Sequence, residues 1–458
     1  MSTPNLPVAV IGAGPVGMSA AAHLASRGLD FVVLEAGDSV AASIADWAHV
    51  RLFSPWRFNM DSTAQALLET GNWTAPNPEW LPTGGELITD YLAPLANHPA
   101  MAPHIRYSTS VVAIARQGFD KVRTLGRENA PFLLRLSDGS ELLVRAVIDA
   151  SGTWRTANPL GGNGLTAHGE DEAREAGRVF DGMPDVLGTL RSHFTGRAVA
   201  VVGAGHSATG TLLALAELAQ QEPGTQVHWV VRSPNPSRSY GGGDADALPA
   251  RGSIGTHMRA LVEQGKVTVH TGFFVQQVTG SGIVSTDGRK VDADVIVNAT
   301  GARPHHAVAE ELRLDLDPIL GSTRALAPLI DPNKHSCGTV PPHGVDELAQ
   351  PEPGYFIVGA KSYGRAPTFL LATGYEQARS VVAALAGDWE AARDVRLELP
   401  ETGVCSSSAA LGQDAGAACC GAPSAAPAEA KRGLATGIEG GLLTLPLVSA
   451  SSGDGCCG

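Results

Sequence analysis

Three glycines near the start of the chain have the spacing of a nucleotide-binding turn. Gly12, Gly14 and Gly17 form the pattern G-x-G-x-x-G directly after the apolar run VAVI, and the helix-forming segment MSAAAHLASRG follows. In this pattern the first glycine makes a tight turn, the second lets the backbone approach a pyrophosphate, and the third lets the helix pack on the sheet. Glu35 ends the next apolar segment, FVVLE, where a carboxylate can accept hydrogen bonds from ribose hydroxyls. The sequence therefore predicts a dinucleotide site within one βαβ unit.

The same pattern recurs near the middle of the chain. Gly203 and Gly205 follow the apolar run AVAVV, with Ser207 in the same turn and Ala208 at the third position of the pattern. The next predicted strand, VHWVVR, ends in Arg232 rather than in an acid. An acid at this position would repel a 2′-phosphate, whereas an arginine binds it. A first unit with an acid and a second unit with an arginine predict FAD in the first and NADPH in the second.

The remaining elements fit an α/β fold built from two such units. The segments AVIDASGTW and DVIVNATGARP each read as a strand that returns to the cofactor and ends in a turn of small residues, at Gly152 and Gly301. Two segments with D-G turns, FLLRLSDGSELLV and GIVSTDGRKVDA, predict β-hairpins. After about Pro400 the sequence consists mainly of Ala, Gly, Ser and Cys, and we expect this tail to be disordered.

Length and charge narrow the class of protein. The 458 residues carry a formal net charge of −13, which disfavours binding to nucleic acid or to an anionic membrane surface. No apolar run reaches the roughly 20 residues that a membrane-spanning helix needs. We expect a cytoplasmic protein, in which thiols stay reduced and cysteines are more often catalytic or metal-binding than paired in disulfides.

The first cysteine of the chain is Cys337, in the proline-rich loop DPNKHSCGTVPPHG. His335 stands two residues before it and His343 six residues after it. A neighbouring histidine can lower the pKa of a thiol, so Cys337 is the candidate catalytic residue. The alternative is a partly buried loop thiol with no chemical role.

Four of the five later cysteines form two adjacent pairs in the tail. Adjacent cysteines are poor at forming a mutual disulfide, but they can present two sulfurs to one soft ion such as As(III) or Hg(II). The alternative is an extension with incidental cysteines. The predicted ligands of a soft metal or metalloid are Cys419, Cys420, Cys456 and Cys457.

Several motifs together resemble the flavoproteins with two dinucleotide-binding domains, above all the flavin-dependent monooxygenases. The matching segments include VIGAGPVGMSAAAHL, DWAHVRLFSP, DASGTWRTANP, VVGAGHSATG and VNATGARP. The resemblance implies a discontinuous FAD domain, residues 1–160 and 325–398, an inserted NADPH domain, residues 161–324, and a tail, residues 399–458. It also implies cofactor contacts at Trp47, the retained part of a GG-W element, and at Gly359, the retained part of a G-D motif whose acid is absent here.

Two departures from the family patterns bear on the reaction. The fingerprint F-x-G-x-x-x-H of flavin and Baeyer–Villiger monooxygenases is matched at Phe180 and Gly182, but Val186 replaces its histidine, which disfavours carbonyl-inserting chemistry. No cysteine precedes Cys337, so the redox pair of ordinary thioredoxin or glutathione reductases is missing. The overall pattern, with its cysteine-rich tail, is similar to flavin monooxygenase-like proteins of bacterial arsenic-resistance clusters.

These observations leave three functions open. The first is an FAD- and NADPH-dependent monooxygenase that acts on a thiophilic small molecule, such as a trivalent arsenical or a thiol conjugate. The second is an NADPH-dependent dithiol or metalloid reductase that uses Cys337 and the tail cysteines. The third is a non-enzymatic flavoprotein that binds arsenite or a related ion through its tail. A homodimer is compatible with all three.

Overall fold

A computed structural model describes residues 6–241, 249–335 and 340–397. Its strands are β1 Val8–Ile11, β2 Phe31–Leu34, β3 Ile105–Arg106, β4 Val111–Arg116, β5 Phe132–Leu136, β6 Glu141–Val144, β7 Ala146–Asp149, β8 Val179–Asp181, β9 Ala198–Val202, β10 Gln226–Val230, β11 Thr268–His270, β12 Val275–Thr279, β13 Gly282–Ser285, β14 Lys290–Asp292, β15 Val295–Asn298 and β16 Tyr355–Ile357. Its α-helices are α1 Pro15–Ser26, α2 Ala42–Ala45, α3 Ser62–Glu69, α4 Gly84–Glu86, α5 Ala93–Ala96, α6 Glu170–Glu175, α7 Arg191–Phe194, α8 His206–Gln221, α9 Pro249–Glu263, α10 Ala327–Ile330, α11 Val345–Leu348, α12 Leu371–Leu385 and α13 Trp389–Arg393.

The first sheet is parallel throughout, with the strand order β16-β7-β1-β2-β3. Strands β1 and β2 are apolar along their whole length because both faces of the sheet are covered there, as the run VAVI indicates. The chain leaves β1 toward β2 on one side and later returns to β7 on the other. This reversal makes a crevice at the carboxyl ends of β1 and β7, where ligands of open α/β sheets bind.

The second sheet repeats this plan, with the parallel order β11-β10-β9-β15-β8. Its strands all come from the segment between β7 and β16, so the second sheet is built from an insertion in the first. The mixed α/β class with two Rossmann-like units is thereby confirmed. The tail from residue 398 onward lies outside the described residues, and the expectation of disorder there stays a prediction.

Both predicted hairpins are present, each as part of a three-stranded antiparallel sheet. The first sheet of this kind has the order β4-β5-β6, and the second has the order β12-β13-β14. The β4-β5-β6 sheet covers one face of the first parallel sheet through buried residues such as Phe132 and Leu134, which pack with Val147 and Tyr355.

Two strips of chain connect the units. Residues 150–160 lead out of the first unit and residues 299–304 lead back, and they pair with each other through a β-bridge between Ala157 and Ala302. The Asn158 amide donates to the Gly301 carbonyl at 2.9 Å, and the Arg303 amide donates to the Thr156 carbonyl at 2.9 Å. The two connections therefore run as one paired strip beside the carboxyl ends of both sheets.

A buried ion cluster connects the segment just before β16 to the first half of the chain. The Glu352 carboxylate accepts from Arg116 Nε at 2.7 Å and from Arg127 Nη2 at 2.8 Å. All three side chains are almost completely buried. Burial alone raises the pKa of Glu352. The hydrogen bonds from both guanidinium groups and from the Arg313 amide together outweigh this effect, so the net shift of the pKa is downward.

Candidate dinucleotide-binding site

The first glycine turn has the geometry that the sequence pattern requires. Gly12 has φ +97°, and a Cβ there would lie 2.9 Å from the Ala150 carbonyl oxygen. A Cβ on Gly17, in the first turn of α1, would lie 1.9 Å from the Gly12 carbonyl oxygen. A Cβ on Gly14, by contrast, would meet nothing within 4 Å. Packing leaves no room for a side chain at Gly12 or Gly17. Gly14, between them, faces open space in front of the helix, where a pyrophosphate can approach.

Glu35 follows β2 directly and is held toward this turn. Its Oε2 accepts from the Ala13 amide at 2.6 Å, and its Oε1 accepts from the Gly37 amide at 2.8 Å. An open depression of about 550 Å³ adjoins it, lined by residues 36–39, Ala42, Ala45, Asp46 and Arg155. A fixed carboxylate beside a phosphate turn and a depression of this size suits the adenosine half of a dinucleotide.

The second glycine turn repeats this arrangement. Gly203 has φ +143°, and a Cβ there would lie 2.2 Å from the Ala299 carbonyl oxygen. Gly205 has open space within 4 Å of its Cβ position. Ser207 is the second residue of α8. Arg232 lies two residues beyond β10 and is exposed, with its guanidinium 3.4 Å from the Gly162 carbonyl oxygen. The edge of this sheet thus offers a phosphate turn with a cation beside it.

A buried ion pair lies at the carboxyl edge of the first sheet. The Lys361 ammonium donates to Asp149 Oδ2 at 2.7 Å and to Ser151 Oγ at 3.0 Å. The Tyr355 hydroxyl donates to the same Asp149 oxygen at 2.9 Å. Burial alone raises the pKa of Asp149, but the charge and hydrogen bond of Lys361 and the hydrogen bonds from Ser151 together outweigh it, and the net shift is downward. Sequence reasoning singled out Gly359 in this region but did not find the pair.

The loop after β16 is shaped by a second polar cluster. Gly359 has φ +71°, and its amide donates to Gln377 Oε1 at 2.8 Å. The Gln377 amide nitrogen lies 3.0 Å from His343 Nε2, while His343 Nδ1 lies 3.0 Å from the Pro341 carbonyl oxygen. An amide NH₂ can only donate, so Nε2 must accept and Nδ1 must carry the proton. The neutral ring agrees with burial, which lowers the pKa of His343.

Aromatic side chains join the two units around the connecting strip. Trp154, on the outgoing connection, donates from Nε1 to Asp46 at 2.9 Å, and its ring lies 6.4 Å from that of Trp47. On its other side, a Cβ on Gly182 would lie 2.7 Å from the Trp154 ring. Trp47 also packs against Gly84, where a Cβ would lie 2.8 Å from the indole. Trp154 lies in the matching segment DASGTWRTANP, but the sequence predicted no role for it because its contacts come from distant segments.

The predicted site residues fall into two groups. The two glycine turns, Glu35, Ser207 and Arg232 lie at the carboxyl ends of the two parallel sheets. Gly152 and Gly301 have φ +70° and +89° in the turns that follow β7 and β15. The predicted catalytic residue Cys337 and the predicted metal ligands Cys419, Cys420, Cys456 and Cys457 lie outside the described residues. Within the described ranges, no group of three or more metal-ligating side chains comes together.

Comparison with known proteins agrees with this geometry. Residues 6–319 match the model of the pyridine nucleotide-disulphide oxidoreductase family. The bacillithiol disulfide reductase Bdr (YpdA) from Bacillus cereus is 19% identical, with a TM-score of 0.60 over 83% of this chain and 99% of that chain. The flavin-containing monooxygenase from Stenotrophomonas maltophilia is 21% identical, with a TM-score of 0.53 over 83% and 99%. Thioredoxin reductase from T. acidophilum is 16% identical, with a TM-score of 0.52 over 84% and 98%. No curated protein matches the sequence.

The protein is thus a two-unit flavin oxidoreductase by fold and by site. More particularly, the chain belongs to the pyridine nucleotide-disulphide oxidoreductase family, and its cofactors are FAD and NAD(P)H. The two glycine turns fit these cofactors because each leaves its middle glycine open in front of a helix N-terminus. None of the helices in the described ranges has the length and apolar character to cross a membrane.

Proposed function

We propose that the protein is an FAD- and NADPH-dependent oxidoreductase of the monooxygenase type that acts on a soft, thiophilic small molecule. The observation that carries this proposal is the position of the cysteines. The chain has none before Cys337, so neither glycine-turn unit contains the dithiol that a thioredoxin- or glutathione-type reductase needs. Electrons that pass from NADPH to FAD in such a protein can be used by oxygen and a second substrate.

We propose NADPH rather than NADH because of the charge at the end of β10. Arg232 is exposed there, and it follows the strand at the place where NADH-binding proteins carry an acid. The guanidinium can form charge-assisted hydrogen bonds with a 2′-phosphate. Ser207 and the Gly205 backbone are assigned to the pyrophosphate, and Gly301 lies in the turn after β15 on the same edge.

We propose that the FAD domain consists of residues 1–160 and 325–398 and that the NADPH domain consists of residues 161–324. The strand orders support the insertion of one domain into the other, since β16 joins the first sheet whereas all strands from β8 to β15 lie between the two FAD segments. Gly12, Gly14, Gly17 and Glu35 are assigned to the adenosine and pyrophosphate of FAD. Trp47, Gly152 and Gly359 are assigned to the same cofactor on the strength of their positions around the crevice.

The proposed substrate is a trivalent arsenical or a thiol conjugate of a metalloid. Two adjacent cysteine pairs in the segment 399–458 can bind a soft ion, and this proposal includes a cytoplasmic setting that keeps them reduced. The monooxygenase reaction would consume one NADPH, one proton and one O₂, and would yield NADP⁺, water and the oxygenated substrate. For an arsenical, the gained oxygen atom oxidises As(III) to As(V).

The experiment is a stoichiometric one. We expect arsenite or an organic trivalent arsenical to raise NADPH oxidation and to consume one O₂ per NADPH, with a pentavalent product. Formation of hydrogen peroxide alone, with every arsenical and thiol tested, would refute the proposal. Truncation after Pro400 is the matched control, since it should weaken arsenite binding and leave basal NADPH oxidation unchanged.

The second candidate is a reductase in which Cys337 and a tail pair form the reducible dithiol. One contact favours it: His343, six residues after Cys337, is joined through Gln377 to the Gly359 loop at the carboxyl edge of the first sheet. In this case NADPH oxidation requires a disulfide and proceeds without O₂. Anaerobic reduction would take up one two-electron equivalent beyond the flavin, and Cys337→Ser would abolish both that equivalent and the activity.

A further inference from the structure

The ion pair between Asp149 and Lys361 occupies an unusual place for buried charge. Asp149 ends β7, and its neighbours in register are Ile11 at the end of β1 and Ile357 at the end of β16. The side chains of Asp149 and Lys361 are 0% and 2% exposed. The pair therefore lies beneath the crevice at the carboxyl ends of β1 and β7, the place at which open α/β sheets bind their ligands.

Ser151 connects this pair to the first glycine turn. Its hydroxyl donates to Asp149 Oδ1 at 2.6 Å and accepts from Lys361 Nζ at 3.0 Å. Its Cα lies 3.2 Å from the position of a Cβ on Gly12. Unlike the two charged residues, Ser151 is exposed. The pair is thus one hydroxyl group away from the turn that holds the FAD pyrophosphate.

The charges of Lys361 and Asp149 also affect His306, just after the returning connection. Burial lowers the pKa of His306, and the charge of Lys361 lowers it further, against a smaller opposing effect of Asp149. His306 follows the connecting strip 299–304, so both charges act on the space beside it. Because the pair is removed from water, its field is weakly screened by salt.

Reduction of FAD by a hydride adds one negative charge to the cofactor. A lone carboxylate at this edge would oppose that change, and a lone ammonium would favour it. If the charge that the cofactor gains lies about 10 Å from the charged side chain and the effective dielectric constant is about 20, one charge alters the equilibrium constant for FAD reduction by more than tenfold. Loss of the Asp149 carboxylate would destabilise the fold, because it accepts hydrogen bonds from the Ser151 amide and hydroxyl, from Tyr355 and from Lys361.

We propose that Lys361 is a tuning residue for the bound FAD: it neutralises Asp149 at the carboxyl edge of the first sheet and so keeps the flavin reducible by NAD(P)H. Lys361 lies in the loop after β16, two residues beyond Gly359, and supplies a buried cation at this edge. The inference rests on FAD binding at the first glycine turn, and it holds whichever substrate the reduced protein uses.

The test is a charge cycle on the FAD-loaded protein, with the reduction equilibrium measured anaerobically against a reference dye. Lys361→Met should lower the equilibrium constant for FAD reduction at least tenfold, which is about 30 mV for a two-electron couple. Asp149→Asn should raise it by a similar factor. The double variant should return to within about threefold of the wild type. Tyr355→Phe, which removes a hydrogen bond to Asp149 without changing charge, should also stay within about threefold.

Shifts of the reduction equilibrium constant in opposite directions in the two single variants indicate an effect of charge. A merely structural role would shift the constant of both variants in the same direction or leave both unchanged. Equal equilibrium constants in all variants, or shifts of the same sign, would overturn the inference. If one single variant fails to fold, the other decides: a shift of at least tenfold in the expected direction supports the proposal, and a smaller or opposite shift overturns it. Wild-type protein that bound no FAD would instead refute the cofactor site itself.

Discussion

The two middle glycines, Gly14 and Gly205, provide the sharpest test of the paired cofactor sites. Both have extended backbone conformations, with φ −75° and ψ −178° at Gly14 and φ −90° and ψ −178° at Gly205. An alanine adopts these angles without strain. Neither Cβ position has an atom within 4 Å. Replacement by alanine should therefore leave the folded protein unchanged and interfere only with a phosphate group that approaches the turn.

The magnitude follows from the contacts that a methyl group would displace. A hydrogen bond from a backbone amide to a charged phosphate contributes about 1.5–3 kcal/mol, and the methyl should remove at least one. Gly14→Ala should therefore weaken FAD binding roughly 10- to 150-fold and leave NADPH binding intact. Gly205→Ala should weaken NADPH binding by a similar factor in a protein that keeps its flavin. Each variant is thus the control for the other.

The assays are flavin fluorescence titration of the flavin-free protein, NADPH titration of the flavin-loaded protein, and urea unfolding of the flavin-free protein. Gly17→Ala is the contrasting variant, because its Cβ would lie 1.9 Å from the Gly12 carbonyl oxygen. It should destabilise the flavin-free fold by about 1–3 kcal/mol or more. If Gly14→Ala bound FAD as the wild type does, or lost as much stability as Gly17→Ala, the assignment of this turn to FAD would be wrong.

Three other predictions concern coenzyme choice and stability. Arg232→Ala should raise the KM for NADPH at least tenfold with little change in the KM for NADH, because only NADPH carries the 2′-phosphate; steady-state rates with both coenzymes check this. Glu352→Gln should lower the free energy of unfolding in urea by about 3–5 kcal/mol, because Arg116 and Arg127 would lose their buried counter-charge. The pKa of His343 is lowered in the fold from 6.5, so below about pH 6.5 the unfolded chain binds a proton that the folded ring does not, and stability should fall as the pH drops through this range. His343→Gln should flatten this part of the pH profile of the urea midpoint.

Local sequence signals were sufficient for the elements that carry the cofactors. Each glycine turn is flanked within a few residues by an apolar strand and a helix, so the whole βαβ unit is visible in one short window. The D-G hairpins were predictable for the same reason, since turn chemistry and alternation act over neighbouring residues. Glu35 and Arg232 could be located because each follows the strand after its glycine turn, and their contacts with the cofactors remain predictions.

The polar groups behind these turns could not be found in this way. Lys361 and Asp149 are 212 residues apart in sequence, Glu352 and Arg116 are 236 apart, and Trp154 and Asp46 are 108 apart. No periodicity links such residues, because their contacts depend on how distant segments fold together, and in the first two pairs the whole second unit lies between the partners. A buried lysine in the loop after β16 is also indistinguishable, in sequence, from an exposed one.

The insertion also determines which part of the chain each proposed activity needs. β16 completes the first sheet, Lys361 neutralises Asp149, and Gln377 holds the Gly359 amide, so the FAD crevice needs residues on both sides of the second unit. All of these residues precede Pro400. We therefore expect truncation after Pro400 to leave the binding of FAD and NADPH unchanged, which titration of both cofactors would check.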